Sequence, residues 1–428
     1  VARHEPVSVV EVRIWAQRVG AVALDPRLGF YAFEYDPAWI RNGIELAPRA
    51  MPLDAASTPF IFTDLPTATY RRLPAMLADS LPDEFGNRLI DAWLADQGVP
   101  HADITALDRL AYMGRRAVGA LEFRPEYASV HPPTALVMSD LVEQARLAVA
   151  GRIDRADAAG AALQQLIDVG TSAGGARAKA AIAWNAATGE IRSGQFEAEP
   201  GFEHWLLKFD GLGSDGELGT GGDYGRIEYA YHLMAAAARV DMEPCRLMEE
   251  GGRAHFMTQR FDRDGEDKHH LQTLCALAHM DYKQRATHSY MQYFQLIEEL
   301  ELGYEAMSQG FRRMVFNVFA RNCDDHSKNF SFLLKRGEGW SLAPAYDVTF
   351  AHNPSGEWTD RHQMSVAGRF DDIGAAQLLD DASRIGLGDA AQIIDEVADA
   401  VGSWPEFAMR AGLPSELSAR IAAQHQLP

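Results

Sequence analysis

The sequence predicts an α+β fold: a strand-rich lobe followed by a helical lobe, with an additional mixed unit at the N-terminal end. Three observations carry that expectation. Short stretches alternating apolar and polar residues occupy 8–35 and return between about 176 and 263. From about 265 onward apolar residues recur mostly at helical spacing. At 428 residues the chain is too long for one ordinary core, so two or three packed units are expected.

The elements come in order. Residues 8–35, broken by "DPRLG", read as an antiparallel strand meander. Prolines in "DPAW" and "PRAMPLD" punctuate residues 36–54. Residues 70–99, including "LPAMLADSLPDEFGNRLIDAWLADQG", read as largely helical and closed by Gly98. "DRLAYMGRRAVGALEFRP" ends the first unit, and Pro132–Pro133 supplies a boundary. Helices are expected near 139–150 and 155–168. A glycine-rich turn in "VGTSAGGARAKAAIAWN" leads into a strand, and "IRSGQFE" and "HWLLKFD" are further strands. "GLGSDGELGTGGD" reads as a loop. Residues 224–239 form an amphipathic helix, because Ile227, Tyr231, Met234 and Ala238 share one face. "RAHFMTQRFDR" is a strand that joins the two lobes. Beyond 265 the expectation is helix, apart from "FSFLL" and a strand before "APAYDV". The division expected is 1–125, 126–264 and 265–428, with no internal repeat.

Composition narrows the function classes. Lys plus Arg number 40 and Asp plus Glu 60, a net charge of −20, which argues against broad binding of nucleic acid through many cationic phosphate contacts. One local basic patch, or a partner that reads DNA, stays open. No apolar run reaches membrane-spanning length and no signal peptide is recognisable in "VARHEPVSVVEVRIW". Cys245, Cys275 and Cys323 lack metal-ligand or disulfide-framework spacing. These features lead to the expectation of a soluble cytoplasmic protein.

The chemistry concentrates in "NCDDHSKNF", residues 322–330. Phe311, Met314, Val315, Val318 and Phe319 mark a core helix over 310–321 that delivers this segment as a loop, and "FSFLL" leaves it as a strand. Phosphoryl transfer by protein kinases uses a loop aspartate that accepts the hydroxyl proton and an asparagine five positions later that holds Mg²⁺. Asp324 and Asn329 have that spacing; Asp325 is one residue too close. Asp347, in "APAYDV", comes 18 residues after Asn329 and supplies a carboxylate. A carboxylate with a carboxamide suits Mg²⁺, which leaves part of its shell to water and phosphate. An isolated Asp-Asp-His would more often be a helix or turn cap; the spacing and the later Asp347 favour a metal–phosphate site. No second histidine has ligand spacing to His326.

Upstream parts complete the pattern. Lys208 lies in "HWLLKFD" opposite Trp205, Leu207 and Phe209, placed to neutralise phosphates, although a lysine snorkelling from a sheet edge would read the same. Glu228, 20 residues later on the amphipathic helix, could orient it or be an ordinary surface glutamate. Gly174 and Gly175 in "TSAGGARAKA" allow backbone N–H groups close to phosphates, with Lys179 adding charge, but such a pair alone is often only a turn. The backbone around Gln259, Arg260 and Phe261 could meet an adenine edge, or be a plain connecting strand.

Taken together, these motifs resemble the HipA-type serine/threonine kinases, the toxin half of bacterial HipBA toxin–antitoxin pairs. The first 125 residues are similar to the family's N-terminal subdomain, and "TSAGGARAKA", "WLLKFD", "QRFDR", "CDDHSKNFSFLL" and "APAYDV" match its kinase core in order. The resemblance implies a protein-kinase-like two-lobed fold using ATP and Mg²⁺, with Asp324 as catalytic base and Asn329 and Asp347 on the metal. Ser172, Gly174, Gly175, Ala176, Lys208, Glu228, Gln259, Arg260, Phe261, Lys328 and Asn329 would surround the nucleotide. Ser172 falls on the loop serine that family members autophosphorylate, which shuts the kinase down. The family's targets are aminoacyl-tRNA synthetases, notably the glutamyl enzyme. Its partner is a small helix-turn-helix, HipB-like antitoxin through which DNA is contacted, with a dimer expected inside that complex. Two departures stand out: Ala178 where Pro or Glu is common, and Gln259 where Glu is frequent. The rival expectations are a catalytically quiet corepressor acting with such an antitoxin, and a non-toxic kinase of the same fold with another substrate.

Overall fold

A computed structural model of the chain describes residues 6–82, 84–127, 136–149, 178–195, 198–211 and 222–428. The expected helix at 155–168 and the loop residues Ser172, Gly174, Gly175 and Ala176 lie outside the described residues.

The N-terminal meander forms as expected and gains a fourth strand. Strands β1 (Val9–Ile14), β2 (Gln17–Asp25) and β3 (Phe30–Tyr35) pair antiparallel, and β4 (Glu122–Arg124) returns to β1, giving the order β3-β2-β1-β4. Alternation decides the buried face: Val10, Val12 and Ile14 are fully buried. The helices Ala75–Ala78, Glu84–Asp96 and Ala106–Met113 cover that unit. The last begins with a capping box in which Thr105 and Asp108 satisfy each other's backbone N–H groups.

The second sheet is antiparallel with the order β6-β5-β7-β9-β8, built from β5 (Lys179–Trp184), β6 (Ile191–Ser193), β7 (Glu203–Lys208), β8 (Cys245–Glu250) and β9 (Arg253–Gln259). Strand β8 had no sequence expectation; its exposed Arg246 and Glu249 weaken the apolar alternation of an edge strand. Helix Tyr224–Ala237 crosses behind this sheet, with Ile227, Tyr231, Met234 and Ala238 all buried.

The region after 265 has the two expected strands, in "FSFLL" and before "APAYDV", and corrects the helical expectation with further short ones. Two short strands, β10 (Arg263–Asp264) and β11 (Asp267–Lys268), form a hairpin, and β12 (His270–Thr273) pairs with β14 (Ser331–Leu334), which pairs with β15 (Trp340–Leu342). β13 (His288–Ser289) pairs in parallel with β16 (Met364–Ser365). These strands have two to four residues, too short to show a period. β12 and β13 exist because partners about sixty to eighty residues further along the chain, β14 and β16, pair with them. The long helix Gly303–Phe319 buries Phe311, Met314, Val315, Val318 and Phe319, and four helices from Ala375 to Ala422 complete the lobe.

Among the described residues, two apolar cores result. One joins the N-terminal unit to the second sheet, through Val12, Trp39, Leu110, Ile182, Trp205 and Leu207. The other holds the C-terminal helices together with helix Tyr224–Ala237. Among the described residues no helix is long and apolar enough to cross a membrane.

Candidate active site

The site begins with a buried cation. On β7, alternation sends Trp205 and Leu207 into the first core and Lys208 to the opposite face. β7 lies in the middle of its sheet, so Lys208 is no snorkelling edge residue. Its ammonium contacts the carboxylates of Glu228 and Asp347 together. Glu228 is 3% exposed, which excludes an ordinary surface role. Burial alone would push the Lys208 ammonium down, but Asp347 and Glu228 outweigh it and hold it above the ordinary lysine range. Burial would likewise push Asp347 up, and Lys208 with Lys179 overrides it, keeping this carboxyl below the usual aspartate range. Lys179 sits directly across from Lys208 in the β5–β7 ladder.

Asp347 adopts φ 53°. This left-handed conformation costs a non-glycine residue roughly 1–3 kcal/mol and persists where surroundings over-determine it. Here Tyr346 fastens the turn: its hydroxyl donates to the Lys328 carbonyl at 2.6 Å and meets the Ser331 hydroxyl.

The loop after helix Gly303–Phe319 carries the second group. Ser327–Asn329 forms one 3₁₀ turn before β14 begins. Asn329 donates its side-chain N–H to the Asp324 carbonyl at 2.8 Å, which assigns the amide nitrogen inward and makes the other end its oxygen acceptor. Asp324 accepts from the Trp358 indole N–H at 2.9 Å, and His326 Nε2 stands 3.7 Å from the same oxygen. The Asp324 side chain keeps 40% of its surface open to the cleft. Packing on its other sides pushes the carboxyl above the ordinary aspartate range, while His326 and Trp358 pull it back.

Asp325 has a different task. It is 1% exposed and accepts from the Tyr290 hydroxyl at 2.7 Å, the Gln363 backbone N–H at 2.7 Å and His362 Nδ1 at 2.9 Å. Every oxygen is committed, so Asp325 anchors the loop and leaves Asp324 to face the cleft. Burial would lower His362, but the Asp325 carboxylate reverses this and holds the imidazole up at about 10.

These groups line one cleft of about 750 Å³, within the range of small-molecule sites. Lys208, Glu228, Gln259, Arg260, Phe261, Asp324, Lys328, Asn329 and Asp347 all border it. The hinge backbone is fixed by Gln259 N–H to Pro244 O and Arg260 N–H to His204 O, each 2.9 Å. The Arg260 guanidinium turns away to clasp Asp262 at 2.8 and 2.9 Å, so its part in the cleft is that of backbone and wall. Phe261 packs on Tyr346 with ring centroids 5.7 Å apart.

Sequence reasoning missed several contributors. Asp79 enters the cleft from the N-terminal unit and accepts from Thr273 through backbone N–H at 2.7 Å and hydroxyl at 2.9 Å. Burial raises its carboxyl and the Lys328 charge offsets part of that. The aromatic Tyr282, within 5.4 Å of the Lys328 ammonium, and Trp358 complete the wall. None of these carries a spacing signal, because each arrives from a separate element.

The residues present fit a magnesium nucleotide. Asn329 and Asp347 offer hard oxygen donors, Lys208 and Lys179 offer positive charge for phosphates, and the cleft has room for the ligand.

The HipA-like C-terminal domain family matches residues 171–404 and the HipA N-terminal domain family matches residues 10–124. No curated protein gives a significant match. Among solved structures, the chain is similar to one in the Shewanella oneidensis MR-1 toxin–antitoxin complex of HipA, HipB and operator DNA. The identity is 17%, the match covers 97% of this chain and 94% of that one, and the TM-score is 0.68. A proinflammatory kinase, CtkA, of Helicobacter pylori is matched at 10% identity over 52% of this chain and 88% of that one, with a TM-score of 0.33.

Proposed function

The chain belongs to the HipA family, and from that premise we propose that it is a Mg²⁺/ATP-dependent protein serine/threonine kinase of the toxin type. The observation that carries this reading is the meeting of Lys208, Glu228 and Asp347 in the cleft that Asp324 and Asn329 also line. Bound ATP would supply the phosphoryl group, with Mg²⁺ neutralising its charge. Asn329 and Asp347 would hold the metal. Lys208, kept in place by Glu228, would neutralise phosphate charge, and Gln259 to Phe261 would present backbone to the adenine. Asp324 would accept the proton of the acceptor hydroxyl. Catalysis on this scheme rests on positioning and fixed charge.

The division into an N-terminal subdomain (1–125), a strand-rich lobe (126–264) and a helical lobe (265–428) belongs to the same proposal. So does inhibitory autophosphorylation of Ser172, a cytoplasmic location and a synthetase target, foremost the glutamyl enzyme. The Shewanella complex supports a HipB-like antitoxin as partner. The net charge of −20 favours contact with DNA through that partner rather than directly.

The test is incubation with Mg-ATP, alone and with candidate aminoacyl-tRNA synthetases, read by intact-mass and peptide mass spectrometry. The expected result is phosphate on the protein's own loop and on a serine or threonine of one synthetase, both abolished in Asp324→Asn. A wild-type protein that binds Mg-ATP and transfers no phosphate would overturn the kinase reading in favour of a quiet corepressor.

A further inference from the structure

The hydrogen bond from Trp358 to Asp324 joins two segments that phosphoryl transfer does not itself require to meet. Asp324 belongs to the loop after helix Gly303–Phe319, and Trp358 to the stretch between Asp347 and β16. A carboxylate turns freely about its last side-chain bond, whose torsion is broad and two-fold. With 40% of its surface open to the cleft, Asp324 is covered by packing only in part. The Trp358 indole N–H, a donor only, meets one oxygen, Oδ1, at 2.9 Å. His326 Nε2 stands at 3.7 Å from the same oxygen, beyond hydrogen-bond length. Oδ1 thereby has one lone pair engaged, and among the described residues Oδ2 is the oxygen that meets no donor.

The mount that carries Trp358 is tightly built. The Gln363 side-chain amide donates to the Trp358 carbonyl at 2.6 Å and to the Arg361 carbonyl at 3.0 Å. It also reaches the Cys323 carbonyl, next to Asp324, at 3.4 Å. The Gln363 backbone N–H and His362 Nδ1 both bind Asp325. Asp360 pairs with Arg285, and Thr359 O accepts from Asn353 N–H at 3.2 Å. The segment is sewn to the very loop whose aspartate it addresses. Such support gives the indole a fixed direction, which a loose lid residue would lack.

We propose that Trp358 is a positioning residue: its indole N–H locks the Asp324 carboxylate in the rotation that turns Oδ2 toward the acceptor hydroxyl. The inference rests on the kinase reading for its consequence, but the hydrogen bond itself can be tested without it. The role requires the N–H, not only the ring. Cleft lining alone would require the ring and be indifferent to the N–H.

The experiment separates these. Trp358 is replaced by β-(3-benzothienyl)alanine, which keeps the bicyclic shape and exchanges N–H for sulfur, and in parallel by Phe (Trp358→Phe). In the full-length protein the benzothienyl form should lose about tenfold to a hundredfold in kcat for autophosphorylation, as expected for a hydrogen bond to a charged group. ATP affinity by calorimetry should stay at the wild-type value. The Trp358 ¹⁵N-indole resonance should lie apart from those of the other tryptophans and move in Asp324→Ala, whether or not transfer occurs. A benzothienyl form with unchanged kcat, or an indole resonance indifferent to Asp324→Ala, would overturn the proposal. A wild type without any transfer, but with the indole resonance still coupled to Asp324, would instead count against the kinase reading and leave the hydrogen bond established.

Discussion

At the scale of single residues, the site is governed by which charges share a partner. Lys208 is bound by two carboxylates, one on a helix and one on the turn after β15. Removing Asp347 would leave Lys208 paired to Glu228 and would take away the carboxylate proposed to hold the metal with Asn329. Asp347→Ala is therefore expected to bind nucleotide with little dependence on Mg²⁺. Calorimetry of ATP binding with and without the metal measures this, and an unchanged dependence would take Asp347 out of the metal site. His362 makes a second, electrostatic prediction. Its folded pKa, held up at about 10 by Asp325, exceeds the unfolded histidine value of about 6.5. The proton is held in the folded state and lost from the unfolded one between those values. The contribution is thus complete below about pH 6.5 and falls as pH rises toward 10. Melting temperatures from pH 6.5 to 10 should fall more steeply in wild type than in His362→Gln. Equal slopes would show that His362 does not titrate in this window.

At the scale of elements, one close approach matters more than its size suggests. A Cβ at Gly225 would lie 2.0 Å from the Ala254 carbonyl oxygen on β9. Gly225 is in the first turn of helix Tyr224–Ala237, one turn before Glu228. The small residue lets the helix lie against the sheet, and this closeness sets the reach between Glu228 and Lys208. Gly225→Ala must push the helix away, an overpacking cost of about 1–3 kcal/mol. Weaker ATP binding should accompany the lower stability, seen together in urea unfolding and calorimetry. Full ATP affinity in a destabilised Gly225→Ala protein would show that the helix position does not set the lysine. At this scale much is legible from the chain alone. The helix at 224–239 and the core helix after 310 show their period because each has a long apolar face. Strand β12 is not legible, since four residues, His270–Thr273, cannot display a period.

At the scale of the whole molecule, the N-terminal unit is fastened to the hinge through buried charge. Asp262 accepts from Arg260, from Arg263 and from the Gly119 backbone N–H at 2.8 Å, and Arg263 also donates to the carbonyls of Ala117 and Gly119. Burial would raise the Asp262 carboxyl, but the two guanidiniums hold it far below the usual range. Truncating it leaves two buried cations without their anion, a loss of about 3–5 kcal/mol. Asp262→Ala should therefore unfold at lower urea concentration. A single transition at the wild-type midpoint would refute the coupling. Asp79 adds a second tie, from the N-terminal unit to Thr273 at the cleft.

The sequence by itself determined the parts of this protein whose signal is local. Hydrophobic period marked the meander and the two long helices, and the five-residue interval from Asp324 to Asn329 marked the loop, because both residues stand on one short segment. Only the tertiary structure decided which residues meet. Lys208 hangs from the first core and Glu228 from the second, so their contact exists only where the two cores are packed together. Asp79 and Trp358 reach the cleft from elements far apart in the chain. The physical reason is one of range. Period and spacing record the neighbours of a residue along the chain, whereas a buried charge selects its partner through space, and no interval between 208, 228 and 347 encodes that meeting.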